Sequence, residues 1–196
     1  MTRFSTILLL AALVLAGTAH GQTNVRVRGT ITAVEGDVLA VKTRDGKNLK
    51  LHMTEKTTVA AAKAIALTDL KKGDYVGSTA IKGPDGTLVA REVHTIPRTV
   101  REGHGPWDLE PGSTMTNANV ATVVNVAKGH ELTLEYKDGA QKIIVPPGTP
   151  IVTTVPADRS FLKPGEYIFT SASVDAEGKM TVARIQVSRG GVRPPQ

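Results

Sequence analysis

Apolar and polar residues alternate along most of the chain, a pattern typical of β-strands that bury one face. In VLAVKTRDGKNLKLHM, apolar residues at Leu39, Val41, Leu49 and Leu51 surround an Asp-Gly pair. Such a pair between two alternating segments is a strong signal for a β-hairpin. The second half repeats the pattern as ELTLEYKDGAQKIIV. The chain is therefore predicted to consist of strands joined by tight turns.

The two halves of the chain resemble each other. LKKGDYV, at residues 70–76, returns as LKPGEYI at residues 162–168, and Gly36 falls on Gly129 at an offset of 93. Matches sustained over this length indicate an internal duplication. In each copy an alternating segment precedes the hairpin and two more follow the LK-x-G motif, which predicts five strands per copy. Because the second lysine of the motif becomes proline in the second copy, we interpret the motif as a turn of the scaffold rather than a reacting site.

The segment between the third and fourth strands differs between the copies. In the first copy TTVAAAKAIALTDL, from residue 57 to residue 70, is rich in alanine and predicts a short helix. In the second copy PPGTPIVTTVPADRSFL contains prolines that exclude a regular helix. Five strands with a helix or loop after the third follow the order of an OB-type barrel. The predicted fold class is all-β, a tandem duplication of two small five-stranded OB-like barrels with a short helix in the first copy only.

The N-terminal segment has the pattern of a secretory signal peptide. One cation, Arg3, precedes an apolar run of about ten residues and then small residues, so cleavage is predicted before Gln22. The run is too short to span a bilayer, and no transmembrane segment is predicted. The expected location is therefore the periplasm. The predicted organisation is a signal peptide (1–21), a first OB-like barrel (22–97), a Pro/Gly-rich linker (98–117), a second OB-like barrel (118–188) and a flexible basic tail (189–196).

The first copy also resembles a family of uncharacterised bacterial exported proteins with small OB-like β-barrels, a domain of unknown function. The resemblance lies in G-x-I-x-x-V-x-G-x-x-L-x-V, then D-G, T-x-V, L-K-x-G-D-Y-V and D-G-x-x-x-A-x-x-V. These motifs are carried by Gly29, Ile31, Val34, Gly36, Leu39, Val41, Asp45, Gly46, Thr57, Val59, Leu70, Gly73, Asp74, Val76, Gly86, Ala90 and Val93. In the second copy Ala121 or Thr122 stands in place of the early glycine. The resemblance implies the fold and export but supplies no activity.

Composition argues against several functions. The chain has no cysteine, which excludes thiol catalysis, disulfides and thiolate metal sites. No G-x-S-x-G motif is present, and no serine follows a strand and precedes a helix, so no enzyme and no cofactor are predicted. Residues 25–97 hold 12 Lys or Arg against 8 Asp or Glu, whereas residues 118–188 hold seven of each. Four of the aromatic residues lie in the neutral half, and a single-stranded nucleic-acid site needs both ingredients together. Nucleic acid is therefore not an expected partner.

The linker carries the candidate functional residues. It contains Trp107, the only tryptophan, and a flexible linker would not favour an indole. Trp107 is expected to pack against the barrels, with an exposed anchor for a partner as the alternative. The predicted function is a non-enzymatic exported binding or structural module for an unknown protein or envelope component, through Arg98, Arg101, His104 and Trp107. The alternative is a periplasmic metal-handling accessory protein using His94, His104, Glu92 and Glu102.

Overall fold

The computed structural model describes residues 23–196. The predicted signal peptide and its cleavage before Gln22 lie outside these described residues. Within them the protein is all-β, with twelve strands, two short 3-10 turns and no α-helix. The part of the chain from residue 23 onward contains no helix that is both long and apolar enough to cross a membrane.

The strands follow one another with short connections. They are β1 (Thr23–Glu35), β2 (Val38–Thr43), β3 (Asn48–Ala64), β4 (Tyr75–Lys82), β5 (Leu88–Thr95), β6 (Gly103–Pro106), β7 (Ser113–Val126), β8 (Gly129–Tyr136), β9 (Gly139–Val145), β10 (Ile151–Ala157), β11 (Tyr167–Val174) and β12 (Met180–Val187). The 3-10 turns, Leu67–Asp69 and Arg159–Phe161, precede β4 and β11. Both predicted Asp-Gly hairpins are confirmed, as β2–β3 and β8–β9.

Strands β1, β2, β3, β12 and β11 pair in that order and close a five-stranded barrel, which we call the first ring. All its pairings are antiparallel except β3 with β12. Alternate side chains point inward and form one core, because successive residues of a strand face opposite sides. The largest fully buried members are Ile31, Leu39, Leu51, Ile168 and Ile185.

Strands β7, β8, β9, β5 and β4 pair in the same manner and form the second ring. This ring is closed by a short parallel pairing between β5 and β9. Only two residue pairs form it, Leu88 with Ile143 and Val89 with Ile144. A second core fills this ring, with Leu132, Leu134 and Ile143 fully buried.

The strand pairing crosses the predicted domain boundaries at residues 97 and 118. The first ring takes three strands from before the linker and two from the end of the chain, and the second ring has the complementary composition. Thus each ring combines both copies, in place of the predicted one barrel per copy. Strand β3 explains the crossing, since its 17 residues extend for about 55 Å and carry the chain out of the first ring. Strand β10 joins the rings by pairing with both β3 and β5.

The predicted helix in the first copy is wrong. Ala60, Ala61 and Ala62 lie in the second half of β3, where β12 pairs along one edge and β10 along the other. This segment therefore satisfies its backbone groups in two ladders and buries its small side chains against the rings. Helix propensity is a weak preference that such tertiary pairing overrides.

The repeated LK-x-G motif is a turn that introduces β4 and β11. Leu70 and Leu162 are buried, and Gly73 and Gly165 adopt φ of 90° and 93°, a left-handed region that favours glycine. The Gly165 N–H donates to the carbonyl of Ile31 at 2.8 Å, which places the turn against the opposite end of the chain. These contacts agree with the interpretation of the motif as scaffold.

Candidate functional site: a cleft between the two rings

A cleft runs between the outer faces of the two rings. One cavity of about 560 Å³ lies beside β10, and a neighbouring cavity of about 320 Å³ lies beside the linker. Both cavities are lined by Thr95, Ile96, Pro97, Thr154 and Arg184, so they form one continuous cleft, which we call the inter-ring cleft. Strand β10 spans the two rings at this place, because it pairs with β3 of the first ring and β5 of the second.

Trp107 lies at the linker end of the inter-ring cleft. Its ring is half-buried, and its main-chain N–H donates to the carbonyl of Ser113 at 2.8 Å. The Arg26 guanidinium lies 4.2 Å from the centre of the ring, within range of a cation–π interaction. The indole Nε1 donates to the main-chain oxygen of Gln196 at 3.0 Å. Trp107 therefore packs against the first ring and the end of the described chain.

A pair of arginines on β1 lies beneath Trp107, and sequence reasoning missed it. Arg28 has a side chain only 7% exposed, and its Nη2 donates to Oδ1 of Asp108 at 2.8 Å. Arg26 contacts the other oxygen of Asp108 at 3.3 Å. The Arg28 guanidinium also lies 4.9 Å from the centre of the Phe169 ring. The alternation in VRVRG places both arginines on one face and was the available signal.

In the cluster of Arg26, Arg28 and Asp108, two positive side chains share one carboxylate. Partial burial would raise the pKa of Asp108, but hydrogen bonds and charges from Arg28 and Arg26 outweigh it and hold that pKa below the ordinary value. Nε of Arg28 is buried without a hydrogen-bond partner among the described residues. A buried donor of this kind usually has a partner, so Nε of Arg28 is an exception to the usual pairing of buried polar atoms.

The last residues of the described chain cover the cleft beside Trp107. Pro194 and Pro195 are buried, and the Arg193 guanidinium lies 4.6 Å from the centre of the Tyr167 ring. The Gln196 N–H donates to Oε1 of Glu92 at 2.8 Å, and Tyr167 Oη donates to Oε1 of Gln196 at 3.3 Å. Residues 193–196, which we call the tail segment, thus pack against both rings, whereas a flexible tail was predicted.

Glu92 and His94 lie under the tail segment on the outer face of β5. Their side chains are 9% and 7% exposed, and Nδ1 of His94 lies 3.1 Å from Oε1 of Glu92. That contact lacks hydrogen-bond geometry, so His94 Nδ1 has no partner among the described residues. The imidazole lies close to Gly77, where an added Cβ would be 2.5 Å from Nε2. Glycine at this position therefore permits the approach of His94 to β4.

The other predicted binding residues contact the second ring. Arg98 donates to the carbonyl of Gly73 at 2.7 Å and to Oδ1 of Asn119 at 3.0 Å. The main-chain oxygen of Arg101 accepts from Asn117 Nδ2 at 3.3 Å. Trp107 differs from them, because its indole ring contacts the first ring and the tail segment, whereas only its main chain bonds to Ser113 of the second ring. The predicted surface is thus divided between two places.

His104 lies on β6, where its Nδ1 is 2.8 Å from Oγ1 of Thr116. Partial burial lowers the pKa of His104 below its usual value. Of the four residues of the metal alternative, Glu92 and His94 are adjacent, and Glu102 is exposed. Across residues 23–196 no group of three or more His, Asp or Glu side chains is placed to hold a metal ion. The described geometry therefore gives no support to a metal centre.

No family model, no curated protein and no solved structure matches the chain.

Proposed function

We propose that this chain is an exported, non-enzymatic binding module whose ligand lies in the inter-ring cleft. The observation that carries the proposal is the cleft itself, which lies between the two rings and is lined by both polar and apolar residues. Ligand sites in proteins are concave and combine apolar walls with a few oriented polar groups. Trp107 and Phe169 supply aromatic walls, and His94 supplies a buried ring nitrogen that has no hydrogen-bond partner among the described residues.

We further propose that the two rings are OB-like and arose by duplication of one five-stranded unit, followed by exchange of the last two strands. Corresponding registers support this history. Gly29 pairs with Ile168 in the first ring, and Ala118 pairs with Val76 in the second. Ala118, rather than Ala121 or Thr122, thus corresponds to the early glycine of the resembled family. That family relationship and the periplasmic location remain parts of the proposal.

Site-specific photo-cross-linking tests the binding role. A photo-reactive amino acid would replace Thr154, which lines both cavities of the cleft, and a matched control would replace Lys137, an exposed residue of the β8–β9 turn. In cells that export the protein, we expect a discrete adduct from position 154 and none from position 137. Equal labelling at both positions, or none from the cleft, would contradict the assignment of the cleft.

A further inference from the structure

The tail segment has the chemistry of a recognition peptide. Its sequence is Arg-Pro-Pro-Gln, and proline fixes φ and lacks an N–H donor. Proline-rich segments lose little entropy on binding, and aromatic grooves recognise them through ring packing and bonds to their carbonyls. Here Pro194 and Pro195 are buried, and the indole N–H of Trp107 donates to the carbonyl of Gln196.

The groove beneath the tail segment is built for a peptide. We call Glu92, Trp107 and Tyr167 the tail groove, because each of them bonds to Gln196. Glu92 accepts a main-chain N–H, Trp107 donates to a main-chain oxygen, and Tyr167 binds a side-chain amide. Together these groups bond to both polar atoms of one peptide residue. Without an occupant, the largely buried Glu92 carboxylate would lose its N–H donor, a loss that costs free energy in a buried site.

The tail segment and the tail groove are connected to the rings in different ways. The three groove residues lie on β5, on β11 and in the linker, so both rings hold them in place. The tail segment is joined to β12 through Gly190 and Gly191, whose φ values of 55° and 80° are typical of glycine. Two main-chain hydrogen bonds between Arg189 and Val192 close this connection into a tight turn, so residues 193–196 can leave the groove while the turn and β12 stay in place.

We propose that the tail groove is a docking site for proline-rich peptides and that the tail segment occupies it as an internal competitor. This inference rests on the proposed binding role and adds the chemical class of the partner. A tethered competitor acts at an effective concentration on the order of millimolar. A partner peptide therefore binds well only when the tail segment is released or when the partner makes additional contacts in the neighbouring cleft.

The test uses the full chain with a double substitution, Pro194→Gly and Pro195→Gly, which weakens the packing of the tail segment in its groove. Trp107 is the only tryptophan, so its fluorescence reports on the groove directly. We expect acrylamide quenching to rise at least twofold in this variant, because Trp107 loses its cover. A synthetic peptide with the sequence of residues 190–196, GGVRPPQ, should restore the low quenching, and GGVRAAQ should not. The parent chain should need at least tenfold more peptide for the same response.

A second variant keeps the test decisive if the first fails to fold. Arg193→Ala changes an exposed side chain and removes its contact with the Tyr167 ring, while both prolines are kept. It should weaken the hold of the tail segment and lower the peptide concentration required. If folded variants of either kind show no response to GGVRPPQ at 5 mM, or respond equally to GGVRAAQ, the docking proposal is wrong. An adduct from the cleft in the cross-linking experiment would then still support the broader binding role.

Discussion

Cutting the chain in its linker should leave the two pieces bound to each other. The two fragments would end at Arg101 and begin at Glu102, which are both exposed and outside the named strands. A protease site inserted between them permits the cut in the folded protein. Because each ring combines strands from both sides of this bond, neither fragment contains a complete barrel.

The free energy that the first fragment would lose without the second can be worked out from the core of the first ring. The second fragment supplies five of its large buried side chains, Leu162, Ile168, Val182, Ile185 and Val187. At about 1.5–3 kcal/mol for each buried side chain, their loss would remove about 10 kcal/mol. A whole domain is stable by only about 5–15 kcal/mol, so the first fragment should not remain folded alone.

Size-exclusion chromatography and circular dichroism would measure this result. After the cut, we expect both fragments to elute together at the volume of the uncut protein. Fragments separated in urea should each lose their β-sheet signal and regain it on mixing. The same insertion left uncut controls for its local effect. Two independently folded fragments that separate in native buffer would refute the exchanged pairing and support one barrel per half.

Three further predictions concern the contact between Gly77 and His94, the ion pair of Asp108, and metal binding. Gly77→Ala should destabilise the protein by about 1–3 kcal/mol, because its Cβ meets His94; thermal melting should show a lower Tm, while Gly105→Ala, with open space around it, serves as the matched control. Asp108→Asn should lower the Tm at pH 7, because it removes the charge that pairs with buried Arg28. Since the pKa of Asp108 is depressed in the folded state, its contribution is fully present above pH 3.8 and is lost as the pH falls through the lower, folded-state pKa. The Tm difference from the parent should therefore vanish in acid, and a difference that persists there would contradict the charge argument. Zinc and copper should leave the Tm unchanged when titrated into the protein, and a large shift with either ion would revive the metal-handling alternative.

Local sequence patterns were sufficient to predict the hairpins and the turns. The Asp-Gly pairs predicted both central hairpins, and the LK-x-G motif predicted a turn with a buried leucine. These features depend on residues close in sequence, because turn chemistry and alternation act over a few positions. The packing of Trp107 was also expected, since a single indole in a Pro/Gly-rich segment suggests a contact.

The site depended on contacts between distant residues. Arg28 meets Asp108 and Glu92 meets Gln196 across about 80 and 100 positions, and no local pattern indicates such partners. Arg98 and Arg101 were grouped with Trp107 by proximity in sequence, yet their contacts lie on the second ring. The tail segment was predicted to be flexible from its composition, but its two prolines are buried between neighbours that only the folded chain provides.

The sequence by itself determined that this protein is made of strands, where its two Asp-Gly hairpins turn and where the LK-x-G turns introduce β4 and β11. Only the tertiary structure decided which strands close each ring. Strand β3 could pair with the strands that follow it directly or with strands near the other end of the chain, and local preferences do not distinguish these partners. The choice rests on the length of β3 and on its pairing with β10 and β12, which also turns an alanine-rich segment from helix to strand. The inter-ring cleft exists because of that choice.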